Sequence, residues 1–192
     1  MRMGPVGVLA LQGDFREHQQ SLEALGAATR QIRKPEDLES LSALVIPGGE
    51  STTIGRLATL YGMIDPLREV INHGLPTFGT CAGLIFLAMD AVKDAPPLLE
   101  VLDVVVERNA FGRQNDSFEA PLEVAGLDDL YPAVFIRAPR VTKVGSDVQV
   151  MATYDDQMVM VRQGKILASA FHPELTNDLR IHEMLLNMRE EN

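Results

Sequence analysis

Two short apolar runs constrain the fold more than any other feature of this sequence. Residues 6–11 and Ala43–Ile46 are apolar on both faces of an extended chain, and each run ends at polar, Pro or Gly residues. A strand that is solvated on one face alternates apolar and polar residues, whereas a strand in a parallel sheet covered on both faces does not. Both runs therefore predict buried strands of a parallel sheet.

Segments of helical spacing separate these strands. In the first half we predict helices over residues 13–25, 35–41, 52–60 and 65–72, with further strands over 27–32 and 77–79. A buried helix is predicted over 84–88 and a final helix over 176–188. This alternation is typical of an α/β three-layer sandwich with a mostly parallel central sheet and helices on both faces.

The second half of the sequence has a different pattern of apolar runs and turns. Apolar runs over 102–106, 134–136, 148–154, 158–161 and 166–171 are separated by short turns rather than by helices, which predicts some antiparallel strands in the C-terminal half. The sequence has no internal repeat and no long linker, so we expect a single domain over residues 1–192.

Composition excludes several classes of function. The net charge is −10, and such a field repels phosphate backbones and anionic lipid, so neither nucleic acid nor membrane is an expected partner. The N-terminal segment lacks the features of a secretory signal. One cysteine excludes an internal disulfide and a Cys-rich zinc site, and a lone thiol fits a reducing cytoplasm. We expect His18, His73 and His182 to be surface or capping residues, with no metal site and no cofactor.

The sequence Gly79-Thr80-Cys81-Ala82-Gly83 is the strongest indication of chemistry. A nucleophile on a sharp strand-to-helix turn needs small residues two positions before and after it, because the backbone passes close to itself there. The N-terminus of a helix and a nearby imidazolium both lower the pKa of a thiol. Cys81 is therefore a candidate nucleophile, although a buried structural cysteine in a Gly-rich turn remains the alternative.

His172 and Glu174 are the natural partners of Cys81. His172 precedes a proline, which favours an extended backbone, and residues two apart in an extended segment face the same side. The carboxylate of Glu174 can then orient the imidazole while its other nitrogen meets the sulfur. The segment also ends an apolar strand, where α/β sheets place active sites.

Three further positions follow apolar runs. Gly48 and Gly49 follow the strand Ala43–Ile46, and backbone N–H groups there can stabilise an oxyanion together with the N–H of Ala82. A plain turn or a phosphate-binding loop is the alternative for the two glycines. Arg108 and Arg137 are each suited to a substrate carboxylate, or are surface arginines in an acidic protein.

Together these residues resemble a known family. Cys81, His172 and Glu174 with the upstream Pro-Gly-Gly are similar to the class I glutamine amidotransferases, and within that class to the glutaminase subunits of pyridoxal 5'-phosphate synthase. The segments that carry the resemblance are 9–13, 47–53, 79–85, 106–114, 135–139 and 171–175. The nucleophile turn and His-Pro-Glu are shared by the whole class, whereas 106–114 and 135–139 are far more specific.

The resemblance implies an activity and a set of site residues. The expected reaction is hydrolysis of L-glutamine to L-glutamate and ammonia through a thioester on Cys81, with His172 as general base and acid and Glu174 orienting it. The residues expected to contact glutamine are Gly49, Glu50, Ser51, Arg108, Ile136 and Arg137. Gln12 is expected near the oxyanion site with Gly48 and Ala82, a site that in this family is completed when the partner docks.

The resemblance also implies a partner. Ammonia would pass to a separate synthase subunit that makes pyridoxal 5'-phosphate from ribose 5-phosphate and glyceraldehyde 3-phosphate. Up to twelve glutaminase subunits would decorate a dodecameric synthase core.

Three alternatives remain open at this point. A glutaminase subunit for another acceptor enzyme would share the three catalytic residues but not the segment 106–114. A cysteine hydrolase with the same nucleophile turn would need no ammonia acceptor. A subunit that only regulates its partner would not need all three catalytic groups.

Overall fold

The computed structural model describes residues 3–92, 95–111 and 117–191, and helices and strands are labelled in chain order. The strands are β1 (Val6–Leu9), β2 (Thr29–Ile32), β3 (Ala43–Ile46), β4 (Thr77–Thr80), β5 (Ala88–Val92), β6 (Leu102–Glu107), β7 (Ser117–Leu122), β8 (Tyr131–Ile136), β9 (Arg140–Val144), β10 (Gln149–Tyr154), β11 (Gln157–Gln163) and β12 (Ile166–Ser169). The α-helices are α1 (Phe15–Ala24), α2 (Ser51–Leu60), α3 (Ile64–Asn72), α4 (Ala82–Leu87) and α5 (Arg180–Asn187). Short 3-10 turns cover Pro35–Leu38 and Pro173–Leu175.

A mixed sheet organises the molecule. Its strand order is β2-β1-β3-β4-β12-β11-β9-β6-β5, with β10 paired to β11, while β7 and β8 form a separate hairpin. The five strands from β2 to β12 are mutually parallel. Antiparallel pairs join β9, β11 and β12 in the C-terminal half. The predicted mostly parallel sheet with some antiparallel strands is confirmed.

Helices cover both faces of this sheet. Helix α1 connects β1 to β2 toward one edge, whereas α2 and α3 connect β3 to β4 toward the other edge. Parallel crossover connections are right-handed, so connections that run in opposite directions lie on opposite faces. The predicted α/β class with helices on both faces is therefore confirmed.

The parallel strands form the centre of the core. Every residue of β1, β3, β4 and β12 is buried, including the polar Thr77, Thr80 and Ser169, and the apolar composition of β1 and β3 predicts their burial. Within the described residues, no helix has the length and hydropathy needed to cross a bilayer.

Several predicted bounds were wrong. The strand predicted over 6–11 ends at Leu9, and the helix predicted over 176–188 begins only at Arg180. Before that helix, Asp178 accepts hydrogen bonds from the backbone N–H and the guanidinium of Arg180, and such local side-chain bonds compete with helix formation. The strands β5, β7 and β9 were not predicted, because none of them carries a continuous apolar run.

Candidate active site

The carboxyl ends of four adjacent parallel strands meet at one cavity. Gln12, Gly49, Cys81 and His172 lie just beyond the ends of β1, β3, β4 and β12, which are neighbours in the sheet. Ligand sites in open α/β sheets lie at this edge, where the strand order reverses. The cavity has a volume of about 410 Å³ and is lined by Gln12, Asp14, Gly49, Glu50, Ser51, Cys81, Ala82, Ile85, Arg108, Asn109, Ile136, Arg137 and His172.

Cys81 lies on a strained turn between β4 and α4. Its φ is 49° and its ψ is −103°, a conformation that L-residues rarely adopt outside functional sites. Its backbone N–H donates to the carbonyl of Ser169 over 2.8 Å, which ties the turn to the end of β12. A Cβ on Gly83 would lie 2.0 Å from the Ile46 carbonyl oxygen, and one on Gly79 would lie 2.8 Å from the Gly83 backbone. The turn therefore requires glycine on both sides of Cys81.

His172 and Glu174 form a buried ion pair beside Cys81. Nδ1 of His172 is 2.6 Å from Oε1 of Glu174, as the predicted pairing requires. The extended segment predicted to align them was wrong, because Pro173–Leu175 forms a 3-10 turn that begins after His172. Burial opposes the charged imidazole, but the interaction with the nearby Cys81 sulfur and the hydrogen bond with Glu174 raise the pKa of His172 to about 10. Burial raises the pKa of Glu174, and its bond to His172 acts in the opposite direction. The arrangement favours a protonated imidazole next to the sulfur.

Asp14 is a second carboxylate at this site and was not predicted. It lines the cavity, and its Oδ2 is 3.6 Å from Nδ1 of His172. Burial raises the pKa of Asp14, whereas the positive charge of His172 lowers it. Asp14 lies a few residues after the end of β1. Other candidate residues were identified because they follow predicted strands, and the same signal applies to Asp14.

The loop after β3 packs closely on the catalytic residues. A Cβ on Gly48 would lie 2.6 Å from Cε1 of His172, so this position admits only glycine. The Gly48 carbonyl accepts a hydrogen bond from the backbone N–H of Asp14, and Gly48 does not line the cavity, whereas Gly49 does. Oε1 of Gln12 accepts from the backbone N–H of Glu50 over 2.8 Å, which holds Gln12 against this loop.

Opposite charges meet at the rim of the cavity. Glu50 caps α2 by accepting hydrogen bonds from the backbone N–H groups of Thr52 and Thr53. Burial would raise the pKa of Glu50, but these bonds lower it to about 2. The guanidinium of Arg108 is 3.4 Å from the Glu50 carboxylate, and Arg137 lines the cavity with a φ of 42°.

The cavity brings together the residues named in the sequence, with a few exceptions. Cys81, His172, Ala82, Gln12 and all six positions expected to contact glutamine line it, whereas Glu174 lies behind His172. Asn109 and Ile85 also line it and were not predicted. Residues 112–114 of the segment 106–114 lie outside the described residues.

The prediction for two of the histidines was wrong. His18 and His182 are fully buried, on α1 and α5, and Nδ1 of His18 is 2.9 Å from Nε2 of His182. The two histidines are 164 residues apart in the sequence, so no local sequence pattern indicates their contact. His73 is exposed and ends α3 as its C-cap residue, as predicted.

One group of described residues has the donor atoms of a metal site. Potential ligand atoms of Asp14, His172 and Glu174 lie within 4.8 Å of one another. These atoms already pair with each other, and an imidazole protonated on both nitrogens has no lone pair for a metal. The group is better suited to holding a proton on His172 than to holding a cation.

The fold and the Cys-His-Glu arrangement define the class of triad-type glutamine amidotransferases. A solved structure of a glutamine amidotransferase superposes on this chain with a TM-score of 0.93, at 54% identity, and covers 97% of this chain and 100% of that one. The model of the SNO glutamine amidotransferase family matches residues 8–191. The chain belongs to the SNO glutamine amidotransferase family, which confirms the resemblance stated above.

Two curated relatives are similar to this chain over nearly their whole length. A pyridoxal 5'-phosphate synthase subunit PdxT from Pelotomaculum thermopropionicum is 56% identical over 182 residues, which are 94% of this chain and 93% of that protein. One from Deinococcus radiodurans is 54% identical over 191 residues, which are 97% of each chain.

Proposed function

We propose that this chain hydrolyses L-glutamine to L-glutamate and ammonia as the glutaminase subunit of a pyridoxal 5'-phosphate synthase. The observation that carries the proposal is the cavity in which Cys81, on its strained turn, faces the imidazole of the His172–Glu174 pair. The relatives from two organisms, 56% and 54% identical, support the choice of synthase.

The first chemical step forms a thioester. The sulfur of Cys81 attacks the side-chain amide carbon of glutamine, so that a C–S bond forms and the carbonyl oxygen becomes an oxyanion. When the oxyanion collapses the C–N bond breaks, and the proton on Nε2 of His172 goes to the leaving nitrogen, which departs as ammonia. The raised pKa of His172 supports its role as the acid in this step.

The second step returns the enzyme to its starting state. His172, now neutral, accepts a proton from a water molecule whose oxygen attacks the thioester carbon. The C–S bond breaks, glutamate leaves, and the proton stays on the imidazole beside the sulfur. Glu174 keeps Nδ1 of His172 protonated throughout and so directs Nε2 toward the reacting atoms.

The oxyanion needs backbone donors. The N–H of Ala82, directly after the nucleophile, is one donor, and the loop at Gly48 and Gly49 supplies the other. Gln12 contacts this loop through the N–H of Glu50, so a change in the loop on docking of the synthase subunit would involve Gln12 directly.

The rim of the cavity fits the head of an amino acid. Free glutamine carries one carboxylate and one ammonium group on the same carbon, and Arg108 and Glu50 present the complementary charges 3.4 Å apart. Arg137 adds a second cation, while Gly49, Ser51 and Ile136 line the wall between the rim and Cys81. Fork-shaped guanidinium groups are suited to the carboxylate.

The ammonia would pass to a synthase subunit that combines it with ribose 5-phosphate and glyceraldehyde 3-phosphate. We propose a heteromeric complex with up to twelve glutaminase subunits on a dodecameric core, formed in the cytoplasm, with residues 1–192 acting as one domain.

The test measures glutamate released from L-glutamine, with and without the synthase subunit, and scores pyridoxal 5'-phosphate in the same tube. We expect glutamate release that rises with the partner and is accompanied by product, and no release from Cys81→Ala. Hydrolysis that is independent of the synthase subunit and gives no pyridoxal 5'-phosphate would indicate that the protein supplies ammonia to a different acceptor enzyme. Release retained by Cys81→Ala would exclude the thioester mechanism.

A further inference from the structure

Two buried histidines lie directly behind the catalytic residues and take no part in the steps above. Nε2 of His18 is 3.1 Å from Oγ1 of Thr80, the residue before the nucleophile, and 3.3 Å from Oε2 of Glu174. Nδ1 of His18 is 2.9 Å from Nε2 of His182. Within the described residues, Oε2 of Glu174 has no hydrogen-bond partner, so its 3.3 Å approach to Nε2 of His18 is an electrostatic contact rather than a hydrogen bond.

Both histidines are neutral in the folded protein. Burial lowers the pKa of His182 to about 4. Burial, together with the proximity of His182 and His172, holds the pKa of His18 well below its ordinary value. A neutral imidazole carries one N–H, so each ring has one donor nitrogen and one acceptor nitrogen.

One assignment of these protons satisfies the contacts. A carboxylate oxygen only accepts, so an N–H on Nε2 of His18 is attractive toward Glu174, whereas a lone pair there would be repelled. Nδ1 of His18 is then the acceptor, and His182 donates to it from Nε2. This leaves Nδ1 of His182, which has no hydrogen-bond partner in the described part of the chain, as a bare lone pair rather than a stranded N–H.

We infer that His18 is a positioning residue for the reaction proposed above. Its Nε2–H, fixed in that tautomer by His182, donates to Oγ1 of Thr80 and attracts Oε2 of Glu174 across 3.3 Å, so that Oε1 remains on Nδ1 of His172. The inference rests on the proposed function only for its effect on turnover, because the protonation states and the contact to Glu174 are properties of the folded chain.

A neutral donor is better suited to this position than a cation. A charged group on Oε2 would compete with His172 for the negative charge of Glu174, whereas a neutral N–H orients the carboxylate and leaves that charge to His172. The other titratable groups that face this cluster are Cys81 from the nucleophile turn, Asp14 from the start of α1, Tyr131 from β8 and His182 from α5.

Loss of the donor should reach Cys81 through Glu174 and His172. A buried carboxylate that loses a nearby N–H dipole takes up a proton more readily, which weakens its pairing with the imidazolium. The imidazolium in turn stabilises a thiolate less, so the sulfur becomes reactive only at higher pH.

The first experiment needs no variant. The chain has four histidines, so nitrogen-15 NMR of histidine-labelled protein resolves each ring. We expect His18 and His182 to stay neutral and protonated on Nε2 from about pH 5.5 to pH 8, while His172 is protonated on both nitrogens. A doubly protonated His18, or a proton on Nδ1 of His18, would overturn the inference.

The second experiment compares His18→Leu with His18→Gln, which keeps an N–H donor, and with His73→Leu as an exposed control. The chain has one cysteine, so the pH dependence of alkylation by iodoacetamide reports on Cys81 alone. We expect the alkylation midpoint of His18→Leu to rise by about one pH unit and kcat for glutamine to fall about tenfold with KM within about twofold. His18→Gln should restore most of both, and His73→Leu should match wild type.

Two results would refute a positioning role. One is a folded His18→Leu with the wild-type alkylation profile, and the other is a folded His18→Gln that is no better than His18→Leu. Thermal melting shows whether the variants fold, and if neither does, the NMR of the wild type decides. Absence of glutaminase activity in the wild type would count against the proposed function, while the NMR and alkylation still test His18.

Discussion

Mild acid should destabilise this protein through the burial of His182. In the folded chain burial lowers the pKa of His182 to about 4, whereas in the unfolded chain water keeps it near the ordinary value of about 6.5. Between these two values the unfolded state binds the proton and the folded state does not. The contribution of the neutral histidine to stability is therefore complete above about pH 6.5 and is lost as the pH falls toward about 4.

The size of the loss follows from the difference between the two values. Each pKa unit corresponds to about 1.4 kcal/mol, and about pH 5 lies 1.5 units below the ordinary value, so His182 accounts for about 2 kcal/mol there. His18, whose pKa is also lowered, adds a loss of the same sign. His172 does not contribute in this window, because its raised pKa makes its stabilisation complete below about 6.5 and lost only as the pH rises toward about 10.

Urea unfolding at about pH 7.5 and about pH 5 measures this effect. The variants are His182→Gln, which cannot titrate, and His73→Gln, which removes an exposed histidine. We expect the free energy of unfolding of the wild type to fall by about 2 kcal/mol more than that of His182→Gln between the two pH values, and His73→Gln to behave as the wild type. Equal losses in wild type and His182→Gln would refute the reasoning that burial keeps His182 neutral.

Three substitutions around the cavity test other parts of the structure. Gly83→Ala places a Cβ 2.0 Å from the Ile46 carbonyl oxygen, so we expect the free energy of unfolding in urea to fall by about 1–3 kcal/mol or more. A decrease within the error of the measurement would contradict the close packing of the turn. Glu50→Ala removes the cap of α2 and should cost about 1 kcal/mol in the same assay, a cost that should diminish as the pH falls through the ordinary glutamate pKa toward about 2. Asp14→Asn removes the carboxylate 3.6 Å from His172, so the His172 midpoint in an NMR titration should fall by about half a pH unit, and an unchanged midpoint would show that Asp14 does not act on the imidazole.

The candidate catalytic residues could be identified in the sequence because their signals are local. Five consecutive residues encode the turn at Cys81, since the requirement for glycine on each side comes from backbone atoms within the same strand-turn-helix unit and from the adjacent strand. His172 and Glu174 are two residues apart, so their pairing is also local, although a 3-10 turn over Pro173–Leu175 brings them together rather than the predicted extended segment. The two segments were expected to meet because the carboxyl ends of parallel strands lie at the same edge of the sheet.

Element bounds in the second half were harder to predict. The strand β9 pairs with β6 and β11, and its half-buried, partly charged sequence becomes a strand only because those neighbours supply hydrogen bonds. The central parallel strands β1 and β3 carry their own signal, because both of their faces are apolar and buried. Where burial is one-sided, the tertiary neighbours decide the structure.

The sequence by itself determined the α/β class and the strand-to-helix turn at Cys81, and it indicated the candidate nucleophile and its partners, because periodicity, turn chemistry and short spacings act within a few residues. Only the tertiary structure decided that His18 and His182 are buried, neutral and in contact with each other, 164 residues apart. It also decided that Asp14 lies beside His172 and that Gly48 packs against its ring. A local pattern specifies the direction of a side chain, whereas its partners, its burial and therefore its charge depend on which elements the sheet brings together.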